Sequence, residues 1–299
     1  MEHKNRPDSA VKHTVEKIQK ELVNKLDANG DGVVGIEDVI VLAMKMPGVY
    51  INRSTFLQNE LFKNHPQYVI DKAIMTTPAQ AGIRASEIDK IADNVIKYER
   101  LKVSGISAAL GAPGGWAVVA TLPADILQYY GYTLRAVQKL LYLYGFPEID
   151  VDEQVGLQLD SETVHRIIVC LGVMNGVAGA NNALKAMAHA LAIGVEKQLM
   201  KKALTKGVIF PIVKSVMKWF GVNLTKATFT GAIKNAIPVI GGVLGGSITF
   251  FMFEPCCRKL KEALQDTRLS NPNHVMDVEE KQMVDSIIGA DVIDAKYTE

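Results

Sequence analysis

The sequence predicts an all-α protein, a multi-helix domain with Gly-rich apolar helices preceded by a small helix-loop-helix unit. Two observations carry this. Apolar residues recur at helical spacing through much of the chain, and no series of alternating apolar and polar residues with hairpin turns competes with them. Composition is compatible with both: hydrophobic residues make up 48% of the 299 residues and aromatics only 7%, so Ala, Val, Ile, Leu and Met carry the apolar weight. That length suffices for one large domain and a small one.

The first expected helix covers residues 11 to 26, where Val11, Val15, Ile18, Leu22 and Leu26 share one face. A Gly- and Asp-rich loop follows, then a short apolar helix from about Ile36 to Met46 that Pro47-Gly48 ends. From Thr55 to Arg100 the pattern stays helical, broken at Thr76-Thr77-Pro78. Ser86-Glu87-Ile88-Asp89 reads as the start of a helix running to Arg100. Residues 103 to 124, 167 to 184 and 235 to 253 carry no charge and are rich in Gly. From about Asp266 the chain is polar and acidic, with a break at Asn271-Pro272-Asn273 and room for one short helix, Val278 to Ile288. The expected division is 1–54 for the helix-loop-helix, 55–265 for the helical domain, and 266–299 for a loose, partly disordered tail.

The loop has a specific chemistry. Asp27-Ala28-Asn29-Gly30-Asp31-Gly32-Val33-Val34-Gly35-Ile36-Glu37-Asp38 follows the EF-hand pattern, with side-chain oxygens at loop positions 1, 3 and 5 and Gly32 at the sharp turn. A hard cation needs six or more oxygens at about 2.3 to 2.6 Å, and alternate residues of a curled loop bring them together. The expected ligands are Asp27, Asn29, Asp31, the Val33 carbonyl and Asp38, for Ca2+ with Mg2+ as the alternative; the plain alternative is an Asp- and Gly-rich turn between helices that holds no metal. Position 12 departs from the pattern: Asp38 stands where Glu gives two oxygens, and its shorter side chain weakens calcium binding. EF-hands usually work in pairs, yet no second loop of this form occurs. The lone hand is left to pack on the large domain, to dimerise, or to staple the N-terminal helices.

The three uncharged stretches approach the roughly 20 residues of a membrane span. They are interrupted by Pro113 and Pro123, by Asn175, Asn181 and Asn182, and by Pro238 with four Gly residues. The expectation is therefore core helices. Gly241-Gly242, Gly245-Gly246 and Ser247 allow close helix packing in water and lipid alike. Charge is more telling. Net charge is only +1, yet residues 196 to 235 hold eight lysines against Glu196. Lys197, Lys201, Lys202, Lys206, Lys214 and Lys218, interleaved with Ile209, Phe210, Val213, Val216, Met217, Trp219 and Phe220, suit an anionic membrane surface. A solvated helix face is the plain alternative, weakened by the near absence of acids. No nucleic-acid motif accompanies the lysines, so nucleic acid is not an expected partner.

Residues from about Leu61 to Leu260 carry a further pattern: Gly111-Ala112-Pro113-Gly114-Gly115 leading to Leu122-Pro123-Ala124-Asp125, then Leu140-Leu141-Tyr142-Leu143-Tyr144-Gly145, then Ile237-Pro238-Val239-Ile240-Gly241-Gly242. In these it resembles the EcsC family of bacterial proteins, over about two thirds of the chain. Some members lie beside ABC-transporter components, so the resemblance implies an association with membranes or export. A hydrolase role has been suggested for the family, with no catalytic residues to carry over. The metal loop lies outside this match.

Catalytic motifs are missing from the sequence. The six histidines form no H-E-x-x-H, and no G-x-S-x-G, P-loop or G-x-G-x-x-G occurs. Asp125 and Arg135 stand nearly three helical turns apart and each needs a partner from elsewhere, as do His165, Arg166 and His189 beside an apolar helix. Three scattered cysteines and an N-terminus without an apolar signal core lead to a reduced compartment. The expected protein is a non-enzymatic, peripheral membrane-associated one, cytoplasmic or on the inner face of the membrane. Alternatives are a soluble hydrolase and a membrane-inserting pore-forming effector. A protein partner or a homo-oligomer is compatible with all three.

Overall fold

The first described helix, α1 (Ile36–Met44), follows the extended N-cap residue Gly35 and buries Ile36, Val39, Ile40, Ala43 and Met44. The structure, a computed structural model, describes residues 27, 35–106, 124–151, 159–195, 197–220 and 246–294. Among them the chain continues through α2 (Arg53–Leu61), α3 (Gln67–Met75), α4 (Ala85–Ile106), α5 (Ala124–Leu143) and α6 (Ser161–Asn175). It then forms α7 (Ala180–Ala192), α8 (Lys197–Thr205), α9 (Phe210–Trp219), α10 (Gly246–Gln265) and α11 (Val278–Asp294). No strand interrupts these helices among the described residues, so the all-α reading holds.

Local chemistry sets several ends. Asn52 caps α2 by accepting from the Thr55 N–H at 2.8 Å, and Asp160 caps α6 by accepting from the Thr163 N–H at 2.8 Å. Burial would raise the Asp160 carboxyl, but the Thr163 hydrogen bonds outweigh it, helped by Lys201 and Lys197, and hold it below its ordinary value. Gly176 ends α6 in the left-handed region at φ +72°, which a residue without Cβ adopts freely. The sequence places the end of the fourth helix at Arg100; the structure extends it to Ile106.

Helix α6 is the axis of the packing. Every residue from Glu162 to Met174 is buried, and the helix touches α1, α5, α7, α8, α9 and α10. A helix apolar on all sides is stable only inside a core. Of the uncharged stretch 167–184, residues 167–174, 180, 183 and 184 are core while Gly176, Ala178, Gly179 and Asn181 at the link are exposed, and no described helix is long and apolar enough to cross a membrane. The other two uncharged stretches lie mostly outside the described residues.

Gly172 lets α6 and α9 approach closely: a Cβ there would stand 2.5 Å from Val216 Cγ2 and 3.0 Å from Ala180 Cβ. Gly172→Val is expected to force these helices apart and cost about 1–3 kcal/mol. Thermal unfolding checks this; an unchanged midpoint would show that the contact yields without strain.

Helix α1, from the segment 1–54 that the sequence sets apart, packs on α5 and α6 and shares their hydrophobic cluster. The physical reason is its apolar content, which covers more than one face. The acidic segment after residue 265 is helical from Val278 to Asp294. Helix α11 is 17 residues long and packs on α7 and α8, burying Val284 and Ile287. Before it, His274 contacts Asp266 Oδ1 at 3.1 Å and Glu280 Oε2 at 2.7 Å. Glu280 is fully buried, whereas Asn271, Asn273, Asp277, Glu279, Lys281, Gln282 and Asp285 are exposed.

Candidate functional site

Two of the features expected to carry function sit at opposite sides of one buried histidine. Of the loop expected to bind metal, Asp27 and Gly35 to Asp38 are described; Asn29, Asp31 and Val33 lie outside the described residues. Asp38, at loop position 12, is the third residue of α1 and has no exposed surface. Its Oδ2 accepts the Gly35 N–H at 2.6 Å, half of a capping box that satisfies a backbone donor at the helix start. Among the described residues no three His, Cys, Asp or Glu side chains converge as a ligand set.

The neighbouring Glu37 points elsewhere. Its Oε1 lies 2.9 Å from His165 Nε2 on α6, while His165 Nδ1 donates to the Leu204 carbonyl on α8 at 3.0 Å. The same ring stacks at a tilt on Phe210 of α9, with centroids 5.6 Å apart. His165 therefore joins the helix leaving the metal loop to both helices of the basic stretch. The sequence marks it only as a polar residue beside an apolar helix, because residues 37, 165 and 204 are far apart in the chain.

The basic stretch itself forms α8 and α9. Lys197, Lys201, Lys206, Lys214 and Lys218 are exposed and Lys202 is half-buried, with no acid between residues 197 and 220. Lys197 pairs with Asp150 at 2.6 Å, an exposed contact of small energy. The Lys214 ammonium stands 4.7 Å from the Phe210 ring centroid. Lys226 and Lys234 lie outside the described residues.

The apolar part of this stretch is corrected. Ile209, Val213, Val216 and Phe220 are buried in the protein's own core, and Phe210 and Met217 are partly buried against it. Only Trp219, 37% exposed, joins the lysines on the surface. The helices are amphipathic, and the core takes the apolar side. What faces outward is a cationic surface with a single aromatic at its edge.

The remaining polar residues singled out in the sequence have structural partners. Arg135 meets Glu99 through Nε at 3.0 Å and Nη2 at 3.2 Å, and Lys139 meets the same carboxylate at 2.6 Å. Arg166 pairs with Glu162 at 2.8 Å. His189 faces Glu280 at 4.0 Å. The Asp125 side chain lies outside those described. Cys170, Cys256 and Cys257 are free and buried, and burial pushes the Cys170 thiol up to about 12, far from nucleophilic use. Compared with known proteins, the chain matches no family model, no curated protein and no solved structure.

Proposed function

We propose that this chain is a non-enzymatic, peripheral membrane-associated helical protein whose α8–α9 surface meets anionic lipid and whose N-terminal loop binds a divalent cation. The observation that carries the reading is the exposed set of lysines on two adjoining helices with no acid among them. Each lysine near anionic headgroups adds about 1 kcal/mol. With the apolar residues of these helices turned inward, attachment is electrostatic and shallow. The EcsC resemblance, with its implied association with membranes, belongs to the same proposal, as does a location on the inner face of the membrane.

Asp27, Asn29, Asp31, the Val33 carbonyl and Asp38 would hold the metal, Ca2+ or Mg2+. The cation would neutralise the loop's clustered carboxylates and stiffen the start of α1. Through Glu37 and His165, that start is connected to α8 and α9. Neither the hydrolase nor the pore-forming alternative draws a specific observation from the described residues.

Co-sedimentation of the full chain with vesicles tests both halves. Vesicles of phosphatidylcholine alone and mixed with phosphatidylglycerol are compared, in calcium, magnesium or chelator, at low and high salt. Binding to anionic vesicles only, lost as salt screens the charges, is expected. Metal is expected to change that binding in the wild type and not in an Asp27→Ala/Asp31→Ala double variant. In His165→Ala, the protein should still bind metal by calorimetry while lipid binding stops responding to it. Equal binding to neutral vesicles, or none at all, would reject the membrane reading. A silent double variant with no calorimetric difference from wild type would reject the metal loop.

A further inference from the structure

Between the turn after α1, the second half of α4 and the first half of α5 lies a cleft of about 280 Å³ lined by Met46, Val49, Tyr98, Lys102, Gln128 and Arg135. Its charge is unbalanced. Lys102 and Arg135 line it and Lys139 stands behind them, whereas the fully buried Glu99 carboxylate meets only Arg135 and Lys139. Three cations against one acid leave two positive charges uncompensated among the described contacts.

Neither lining cation is used up. Arg135 donates twice to Glu99 and once to the Gly48 carbonyl, three of the five N–H groups a guanidinium has. The Lys102 ammonium lies 5.5 Å from the Tyr98 ring centroid and meets no carboxylate among the described residues. Tyr98 is half exposed and has Lys139 5.4 Å from its ring centroid as well, so an electron-rich aromatic wall stands beside two ammonium groups.

A second, independent sign of a ligand comes from Gln128. It is only 6% exposed, and its side-chain Nε2 is buried without a hydrogen-bond partner. Buried polar atoms nearly always have a partner, and an orphaned donor in a cleft wall calls for an acceptor. Met46 and Val49 supply an apolar floor beside it.

The geometry points to a binding site for a small anion with a flat apolar body, an aryl phosphate or carboxylate. Lys102 and the spare Arg135 N–H groups take the anionic oxygens, Tyr98 stacks on the ring, and Gln128 donates to an oxygen of the ligand. The volume is at the small end of ligand pockets, which begin at about 300 Å³, so the occupant is of single-ring size. This site is separate from the α8–α9 surface and does not depend on the membrane proposal. A free ligand and a lipid headgroup offer the same phosphate, and the probes distinguish them.

The test is isothermal titration of the full chain with phenyl phosphate, inorganic phosphate, phenol and dihexanoyl phosphatidic acid as a monomer. Phenyl phosphate is expected to bind at least about tenfold tighter than the other three. Lys102→Ala and Gln128→Leu should each weaken it by about fivefold or more, while Lys201→Ala on the distant basic surface leaves it unchanged. Lys102 is exposed, so its variant retains the fold even where Gln128→Leu does not; circular dichroism distinguishes the two cases. Equal affinity for inorganic phosphate, or an unaltered Lys102→Ala, reduces the cleft to general charge attraction and overturns the proposal. Tighter binding of the phosphatidic acid overturns the flat-ring occupant in favour of a headgroup, and no heat with any probe overturns the site.

Discussion

Arg53→Met is expected to lower the stability of the fold by about 4 kcal/mol, the largest loss from any single side chain considered. Arg53 is the first residue of α2 and only 7% exposed. Its Nε donates to the Phe146 carbonyl at 3.1 Å and its Nη1 to the Ile74 carbonyl at 2.5 Å. Its Nη2 donates to the carbonyls of Ala73 at 3.3 Å and Thr76 at 3.0 Å. Three of these acceptors end α3, where a helix leaves carbonyls unpaired and its dipole is negative. One guanidinium thus closes α3 and ties it to the turn after α5. Methionine fills similar space but orphans all four acceptors, and each costs about 1–3 kcal/mol if no water reaches it. For a chain of this size the thermal midpoint should fall by roughly 10 °C. Arg53→Lys should recover less than half, since an ammonium cannot span the same fork. A fall of under about 2 °C for the methionine variant would mean that solvent replaces the guanidinium, and the residue would lose its role as a tie.

The second large effect is on binding. Replacing Lys201, Lys206, Lys214 and Lys218 together with Gln should weaken attachment to phosphatidylglycerol-containing vesicles by about 4 kcal/mol, roughly a thousandfold. All four are exposed, and none is within an ion pair among the described residues. Gln has nearly the helix propensity of Lys, so α8 and α9 should keep their form. The expected pattern is loss of vesicle binding with an unchanged circular dichroism spectrum and thermal midpoint. A parallel Trp219→Ala variant isolates the one exposed aromatic and should have a smaller effect. Retained binding by the four-glutamine variant would leave the lysines as an ordinary solvated face and remove the main support for membrane attachment.

How far the residues alone reach can be judged from particular helices. The all-α class was legible because helical periodicity is a local property, written at intervals of three and four residues. The same holds for α1 with its Pro47-Gly48 stop and for the core nature of 167–174. In the acidic segment Glu280 and His274 look solvated when read one by one, whereas their side chains are buried and meet at 2.7 Å.

What the tertiary structure decided is where each side chain finds its partner. By itself the sequence established the helical class, the Asp- and Gly-rich run from Asp27 to Asp38 and the excess of lysines between 196 and 235. It left Arg135 without a partner, and Glu99 supplies it from another helix. It set Ile209, Val213 and Val216 beside the lysines, whereas packing on α6 turns them away from that surface. It offered no hint that Glu37, His165 and Leu204 meet, or that Tyr98, Lys102, Gln128 and Arg135 border one cleft. Periodicity reports which face of a helix is apolar. Which neighbour covers that face depends on the burial of the whole chain at once, and no local pattern encodes it.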